Sequence, residues 1–143
     1  VVKWTGKIKP KTTTDHISAL WDFLPTACEI AGADSPKGID GISFLPVLLG
    51  KDQPKHKYLY WESRLTKGQQ VIRMGDWKGI RESVMKNGSK TPLKLYHLGK
   101  DLSETKDVSA QHPEVVAEIE KLMHEAHVPN KLFPMGALEK EYK

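Results

Sequence analysis

The sequence predicts an α+β protein in which a four-stranded antiparallel sheet packs against a C-terminal helix, preceded by a remnant strand and helix of a larger α/β domain. Three observations support this prediction. Side-chain character alternates with a period of two in four segments after Lys57, residues 113–126 carry an apolar stripe at helical spacing, and residues 1–52 hold one helix and one isolated strand. We therefore divide the chain into the tail end of an α/β domain, residues 1–52, and a C-terminal subdomain, residues 53–143.

The first residues, Val1-Val2-Lys3-Trp4, are typical of a short strand, and a connector rich in glycine, proline and threonine follows as far as Thr14. His16 to Leu20 predicts a second short extended run. Because a strand at the start of the chain has no partner nearby in the sequence, we expect it to end a sheet that preceding residues build.

A helix is predicted over residues 22–31, with Asp22 as the N-cap whose carboxylate accepts hydrogen bonds from the amides of the first turn. Pro25 suits that first turn, and Gly32 suits the left-handed position after the last turn. The apolar face of this helix contains Leu24, Ala27, Cys28 and Ala31. Ser43 is predicted to cap a second helix of one to two turns.

Four strands are predicted in the second half of the chain. Their segments are Tyr58–Glu62, Gln70–Met74, Trp77–Arg81 and Leu93–Leu98. Gly75 and Asp76 indicate a tight hairpin, because glycine adopts positive φ without strain. Glu82 to Thr91 is polar and is predicted to be a flexible loop. Trp61 and Trp77 are expected in the sheet core because of their alternating positions.

Pro113 is predicted to open the last helix, with His112 as its N-cap. The apolar stripe of this helix contains Val115, Val116, Ile119, Leu122, Met123 and Ala126, and its solvated face contains Glu114, Glu118, Glu120 and Glu125. His124 and His127 are three residues apart. Since no third ligand lies nearby in the sequence, we interpret them as solvent-facing histidines at the helix end rather than half of a zinc site. The tail after Val128 is expected to run irregularly over the surface.

Composition excludes several function classes. The 143 residues carry a net charge of +4, with basic and acidic residues interleaved, a pattern that does not indicate a nucleic-acid-binding surface. No apolar run approaches the ~20 residues that cross a bilayer, so no membrane partner is expected. Cys28 is the single cysteine, which excludes an intrachain disulfide. The sequence also lacks G-x-S-x-G, phosphate-loop and H-E-x-x-H motifs.

Several runs resemble motifs of the sulfatases. The segment from Asp22 to Gly32, followed by Asp40-Gly41-Ile42-Ser43-Phe44-Leu45-Pro46, is similar to the D-x-x-P-T … A-G … D-G-x-S-x-x-P stretch of that family. The later runs Tyr58–Glu62, Arg73–Lys78 and Leu95–Leu98 occur there in the same order. The resemblance covers most of the chain, and it is strongest to bacterial sulfatases of the arylsulfatase and N-acetylgalactosamine-6-sulfatase type. It implies a large catalytic α/β domain followed by a four-stranded sheet and a C-terminal helix.

The resemblance implies a parent enzyme, periplasmic or secreted, that hydrolyses sulfate esters on sulfated glycans. Sulfatases use a formylglycine made from the cysteine of a C-x-P-x-R motif, beside a calcium ion. Cys28-Glu29-Ile30-Ala31-Gly32 lacks the proline and the arginine of that motif. We therefore expect no catalytic or metal-binding residue in this segment, and we expect calcium and formylglycine in a missing N-terminal catalytic domain, which is its partner. The segment would serve as structural support and as a rim of the cleft.

The candidate substrate-binding residues lie around the loop between the first two predicted strands. Glu62, Arg64 and Gln70 bracket this loop, where an arginine or a carboxylate could contact a sulfate or a sugar hydroxyl. His16, before the first helix, is a further candidate. Ordinary loop polarity is the alternative interpretation of all four residues.

Two other functions remain open from the sequence. The chain could be a free-standing, non-catalytic α+β module that binds a polyanion or a protein partner. It could also be the matching part of a related phosphatase or phosphonate hydrolase. A C-x-P-x-R or S-x-P-x-R motif encoded before Val1 would favour the sulfatase.

Overall fold

A computed structural model describes residues 1–142 and divides the chain into two compact units, Val1–Lys57 and a second unit that begins at Tyr58. The fold class is α+β, as predicted, with one four-stranded antiparallel sheet in the second unit. Within residues 1–142, no helix is long and apolar enough to cross a membrane.

The first unit contains two helices. A 3₁₀ turn, Leu20–Asp22, runs directly into α1, Phe23–Ala31, and α2 spans Leu45–Leu48. Helix α1 ends at Gly32, which adopts φ +66° while the amide of Ala33 bonds the carbonyl of Cys28 at 2.9 Å. This left-handed ending confirms the position predicted for the glycine.

Val1–Trp4 forms no strand within residues 1–142, and because its predicted partner lies among preceding residues, the strand stays a prediction. These residues have no strand partner among residues 1–142, and the carbonyl of Trp4 instead accepts the amides of Lys7 and Ile8 at 3.1 and 3.0 Å, which closes a turn. The extended run predicted over residues 16–20 also forms no strand. A strand needs a neighbouring strand to satisfy its backbone groups, and no described residue supplies one here.

The residues that α1 buries differ from the apolar stripe identified in its sequence. Pro25 and Thr26 are the buried residues, whereas Leu24 is 48% exposed and Ala27 and Cys28 are half-buried. The hydroxyl of Thr26 donates to the carbonyl of Asp22 at 2.7 Å and accepts the amide of Phe44 at 3.0 Å, so a polar side chain is satisfied inside this unit. The packed face of α1 is therefore rotated from the apolar stripe in the sequence.

The sheet in the second unit has the order β1-β2-β3-β4, with every neighbouring pair antiparallel. Its strands are Leu59–Ser63, Gln69–Met74, Trp77–Glu82 and Lys94–His97, within one or two residues of the prediction. Met74 pairs with Trp77 across a two-residue turn in which Gly75 has φ +56°, which confirms the tight hairpin.

Helix α4, Pro113–Ala126, packs against the sheet and begins at the predicted proline. The core between the helix and the sheet consists of Ile72, Leu93, Leu95, Ile119, Leu122 and Met123, all at most 4% exposed. Gly79 lies opposite Ile72 and Leu95 in the ladder, so it shares their face. A Cβ built on Gly79 would lie only 2.7 Å from Cγ2 of Ile119, which shows that the missing side chain lets α4 approach the sheet closely.

The segment predicted as a flexible loop after β3 is folded. It contains α3, Val84–Asn87, and a 3₁₀ turn, Gly88–Lys90. Val84 is fully buried against Met135 and Leu138, which lie in the tail that was expected on the surface. This second, smaller core was missed because its apolar residues lie far apart in the sequence.

The two tryptophans of the sheet differ in burial. Trp77 packs against the core beneath α4, as expected. Trp61 is 36% exposed, because Tyr60 pairs with Ile72 on the face toward α4 and residue 61 therefore points to the other face. The assignment of Trp61 to the core is wrong.

Candidate functional site

A chain of polar side chains connects β1 to the end of α4. Glu62 and Tyr60 share the face of β1 toward α4, and the hydroxyl of Tyr60 donates to Oε1 of Glu62. Gln70, paired with Glu62 across the strands, donates from Nε2 to the Tyr60 oxygen at 2.7 Å. Nδ1 of His127 lies 2.5 Å from the same Glu62 oxygen. Two donors therefore converge on one carboxylate oxygen.

The imidazole of His127 has a second carboxylate on its other side. Its Nε2 lies 3.5 Å from Oε2 of Glu139, in the 3₁₀ turn Leu138–Tyr142. The ring of Tyr142 packs at 4.3 Å from that of His127. The His127 side chain is only 1% exposed. This placement corrects the expectation that His127 faces solvent, because the chain after α4 folds back over it.

His124, one turn before His127, also stacks on Tyr142, with ring centroids 4.7 Å apart. Burial is the largest cause that raises the pKa of the Tyr60 phenol, and its hydrogen bond to Glu62 adds to the effect. The Tyr60 hydroxyl is therefore a permanent donor to Glu62 at physiological pH. The half of a zinc site considered for the two histidines is not formed, since both rings pack against Tyr142.

Glu139 fixes the C-terminal segment, which we define as residues 130–142. Its carboxylate accepts the backbone amides of Met135 at 3.1 Å and of Asn130 at 2.5 Å. The Met135 amide is the largest cause that holds the pKa of Glu139 below its ordinary value, followed by the Asn130 amide and His127. Met135 and Leu138 then bury their side chains in the smaller core.

We expect the C-terminal segment to loosen at acid pH. Because the pKa of Glu139 is lower in the folded state, its contribution to stability is present above the ordinary value of 4.5 and is lost as the pH falls through the lower folded value. The protection factors of the Met135 and Leu138 amides, which compare observed with intrinsic exchange at the same pH, should fall below that pH, and Glu139→Gln should show low protection at every pH. Protection factors in Glu139→Gln that still rise with pH as they do in the wild type would contradict this role.

Arg81 forms a second buried polar contact in this unit. It is 4% exposed, its Nη2 donates to Oε1 of Glu120 on α4 at 2.5 Å, and its Nε donates to the carbonyl of Thr91 at 3.1 Å. Glu120 is therefore an ion-pair partner of the sheet and not only part of a solvated helix face, which corrects the sequence-based expectation.

The four predicted substrate-binding residues differ in burial and in their contacts. Glu62 and Gln70 belong to one network, but Gln70 is fully buried. Arg64 is exposed in the loop between β1 and β2 and has no hydrogen bond or ion pair with residues 1–142. His16 is half-buried in the first unit, where its amide bonds Oγ1 of Thr14 at 3.1 Å.

Tyr60, His127 and Glu139 were not identified from the sequence. Tyr60 could have been found, because its spacing of two from Glu62 places both on one face of a strand. His127 carries no local signal, since its partner Glu62 is 65 positions away.

The first unit has its own buried carboxylate. Asp22 is 0% exposed and accepts the amide of Ala19 at 2.7 Å, the amide of Ile42 at 2.9 Å and Nε2 of His56 at 2.9 Å. Asp22 occupies the N-cap position of α1, as predicted, but its carboxylate makes no capping hydrogen bond and instead bonds back to Ala19 and across to Ile42. The predicted hydrogen bonds to the first turn of α1 are therefore wrong.

None of these groups is arranged as a metal centre. Within residues 1–142, no cluster of three or more histidine, cysteine, aspartate or glutamate side chains could hold a metal ion. Calcium takes six to eight oxygen ligands, and the described residues do not fit that requirement. Cys28 lies half-buried on α1 and does not begin a C-x-P-x-R motif.

Comparison with known proteins assigns the chain to a protein family. The family model described as "N-sulphoglucosamine sulphohydrolase, C-terminal" matches residues 1–129. An ulvan-active sulfatase of Formosa agariphila is 45% identical over 60 residues, which are 42% of this chain and 12% of that protein. An N-acetylgalactosamine-6-O-sulfatase of Bacteroides thetaiotaomicron is 29% identical over 134 residues, covering 86% of this chain and 26% of that protein.

Solved structures agree with this result. A structure described as a 2-O GAG sulfatase superposes with a TM-score of 0.60 and 26% identity, covering 73% of this chain and 23% of that one. The chain thus spans about a quarter or less of the length of the relatives it matches. Its helices, its four-stranded sheet and the match over residues 1–129 show that the chain belongs to the N-sulphoglucosamine sulphohydrolase C-terminal domain family of the sulfatases.

Proposed function

We propose that this chain is the C-terminal part of an enzyme that hydrolyses sulfate esters on glycans. The observation that carries the proposal is the family match over residues 1–129, together with relatives named for sulfated polysaccharides and amino sugars. Such substrates would place the enzyme in the periplasm or outside the cell.

In this proposal a preceding domain, the partner of this chain, supplies the nucleophile and the metal. Formylglycine would provide the attacking group there, and calcium would bind the sulfate. The chain itself holds the C-terminal sheet in shape and forms part of the rim of the substrate cleft. This division is supported by the match to a C-terminal sulfatase domain and by the small share of the relatives' length that the chain covers, 12% and 26%.

Arg64 and Glu62 are the proposed rim residues. The exposed guanidinium of Arg64 has no partner among residues 1–142, so it is free to form a bidentate contact with a sulfate. Glu62, whose side chain is 24% exposed, could accept a hydrogen bond from a sugar hydroxyl. His16 remains a further candidate in the first unit. Gln70, being fully buried, would act through Tyr60 rather than by contact with substrate.

The proposal is tested by comparing the 143-residue chain with the longer protein we propose. We expect the longer protein to hydrolyse a chromogenic aryl sulfate and a sulfated oligosaccharide. The chain alone should release no sulfate above a heat-inactivated control, because the C-x-P-x-R motif of the nucleophile is not in its sequence and the proposed calcium site lies in the preceding domain. Turnover by the chain alone would contradict the assigned role. A longer protein that cleaves a phosphonate monoester but no sulfate ester would favour the related hydrolase instead.

A further inference from the structure

The two carboxylate oxygens of Glu62 have different surroundings. Oε1 receives both the Tyr60 hydroxyl and Nδ1 of His127. Oε2 has no hydrogen-bond partner among residues 1–142, although 24% of the side chain is exposed. One oxygen is therefore fixed by the protein, and the other retains its capacity to accept.

His127 is held more firmly than Glu62. Its ring is 1% exposed, lies between the carboxylates of Glu62 and Glu139, and packs against Tyr142. Glu139 is in turn anchored by the amides of Asn130 and Met135. A side chain enclosed in this way has few rotamers available, so it can fix the direction of the group it bonds.

The network also explains why the C-terminal segment folds back. Residues 130–142 bring Glu139 and Tyr142 against His127, while Met135 and Leu138 bury the apolar side of the segment. The segment thus determines the orientation of His127, and His127 determines that of Glu62.

We propose that His127 is a positioning residue for Glu62: it fixes Oε1 so that Oε2 is held ready to accept a hydrogen bond from a hydroxyl group of a saccharide. The proposal rests on the proposed function, because it names the ligand chemistry of the same rim. A preorganised acceptor loses less side-chain entropy on binding than a freely rotating glutamate does. Glu62 would therefore select saccharides over small aryl esters.

The kinetic test uses His127→Phe, Glu62→Gln and the double variant in the longer enzyme. Phenylalanine keeps the ring against Tyr142 but removes the donor to Glu62. We expect each single variant to lower kcat/KM on a sulfated oligosaccharide about tenfold or more, mainly through KM, with little change on a small aryl sulfate. The double variant should be no worse than Glu62→Gln alone, since both changes remove one contact.

Two further variants keep the test decisive. Tyr60→Phe removes the second donor to Oε1 from a different element, and it should lower oligosaccharide kcat/KM in the same direction. His127→Asn places an amide donor near the Nδ1 position and should recover part of the loss. The positioning role would be overturned if the two single losses in kcat/KM multiplied in the His127→Phe, Glu62→Gln double variant. It would also be overturned if kcat/KM fell equally on the oligosaccharide and the aryl sulfate. Arg64→Ala is the matched control at the rim, because its effect on kcat/KM should multiply with that of His127→Phe.

A spectroscopic measurement on the 143-residue chain separates this inference from the proposed function. The ¹³C shift of the Glu62 carboxyl should change in His127→Phe. The ¹⁵N shift of His127 Nδ1 should change in Glu62→Gln. If these shifts are coupled but Glu62→Gln leaves all sulfatase kinetics unchanged, the hydrogen bond is real and its role at the rim is overturned. If the shifts are independent, the positioning contact itself is wrong, whatever the enzyme hydrolyses.

Discussion

Asp22→Ala is expected to lower the free energy of unfolding of the first unit by about 3–5 kcal/mol, because removing one member of a buried charged contact leaves its partners unsatisfied. The Asp22 carboxylate is 0% exposed and accepts from two backbone amides and from His56. After the substitution, the amides of Ala19 and Ile42 would lose this acceptor.

The measurement is urea unfolding of the 143-residue chain, combined with amide exchange at Ala19 and Ile42. Asp22→Asn keeps one acceptor oxygen, so it should lower the free energy of unfolding less than Asp22→Ala does. Asp34→Ala, at an exposed aspartate of the same unit, is the matched control and should change stability by no more than about 0.5 kcal/mol. A loss below 1 kcal/mol for Asp22→Ala, with unchanged exchange at Ile42, would show that the carboxylate is dispensable.

Gly79→Ala is expected to destabilise the second unit by about 1–3 kcal/mol, the usual cost of overpacking a close-packed core. The new methyl would lie 2.7 Å from Cγ2 of Ile119 and 3.3 Å from Cδ1 of Leu93, well inside or at the edge of contact distance. Cγ2 is attached directly to Cβ of Ile119, so it cannot move away by a change of the terminal rotamer. Helix α4 would have to shift from the sheet.

A second substitution, at Ile119, should relieve this clash and restore part of the lost stability. Ile119→Leu removes the branch at Cβ while keeping the side-chain volume, and alone it should cost less than about 1.5 kcal/mol. Combined with Gly79→Ala, it should recover about 1 kcal/mol relative to the sum of the two single changes. If the losses in unfolding free energy of the two single variants simply add in the double variant, the contact between β3 and α4 does not cause the destabilisation by Gly79→Ala.

Local sequence patterns determined the elements of the second unit. Alternation with a period of two placed the four strands, the Gly75-Asp76 pair set the hairpin between β2 and β3, and Pro113 marked the start of α4. These predictions succeeded because each depends on backbone preferences or on side chains a few positions apart. The motifs from Asp22 to Pro46 and around Tyr96 led to the sulfatase family for the same reason, since they can be recognised without knowing any contact.

The predictions that failed depend instead on contacts between residues far apart in the sequence. The burial of Val84 depends on Met135 and Leu138, about fifty positions away, so a polar stretch was taken for a flexible loop. Asp22 has an N-cap's residue type, yet its carboxylate bonds Ile42, which is 20 positions later.

For the candidate site, the sequence by itself determined the family, the strand that carries Glu62 and the exposed loop that carries Arg64. Only the tertiary structure decided that Gln70 is enclosed, that Tyr60 and His127 meet on one oxygen of Glu62, and that Glu139 secures the other side of the imidazole. The reason is physical: periodicity reports which face of an element is apolar, whereas a polar network depends on where the chain returns. His127 and Glu62 are 65 positions apart and become neighbours only when α4 and the segment after it pack on the sheet.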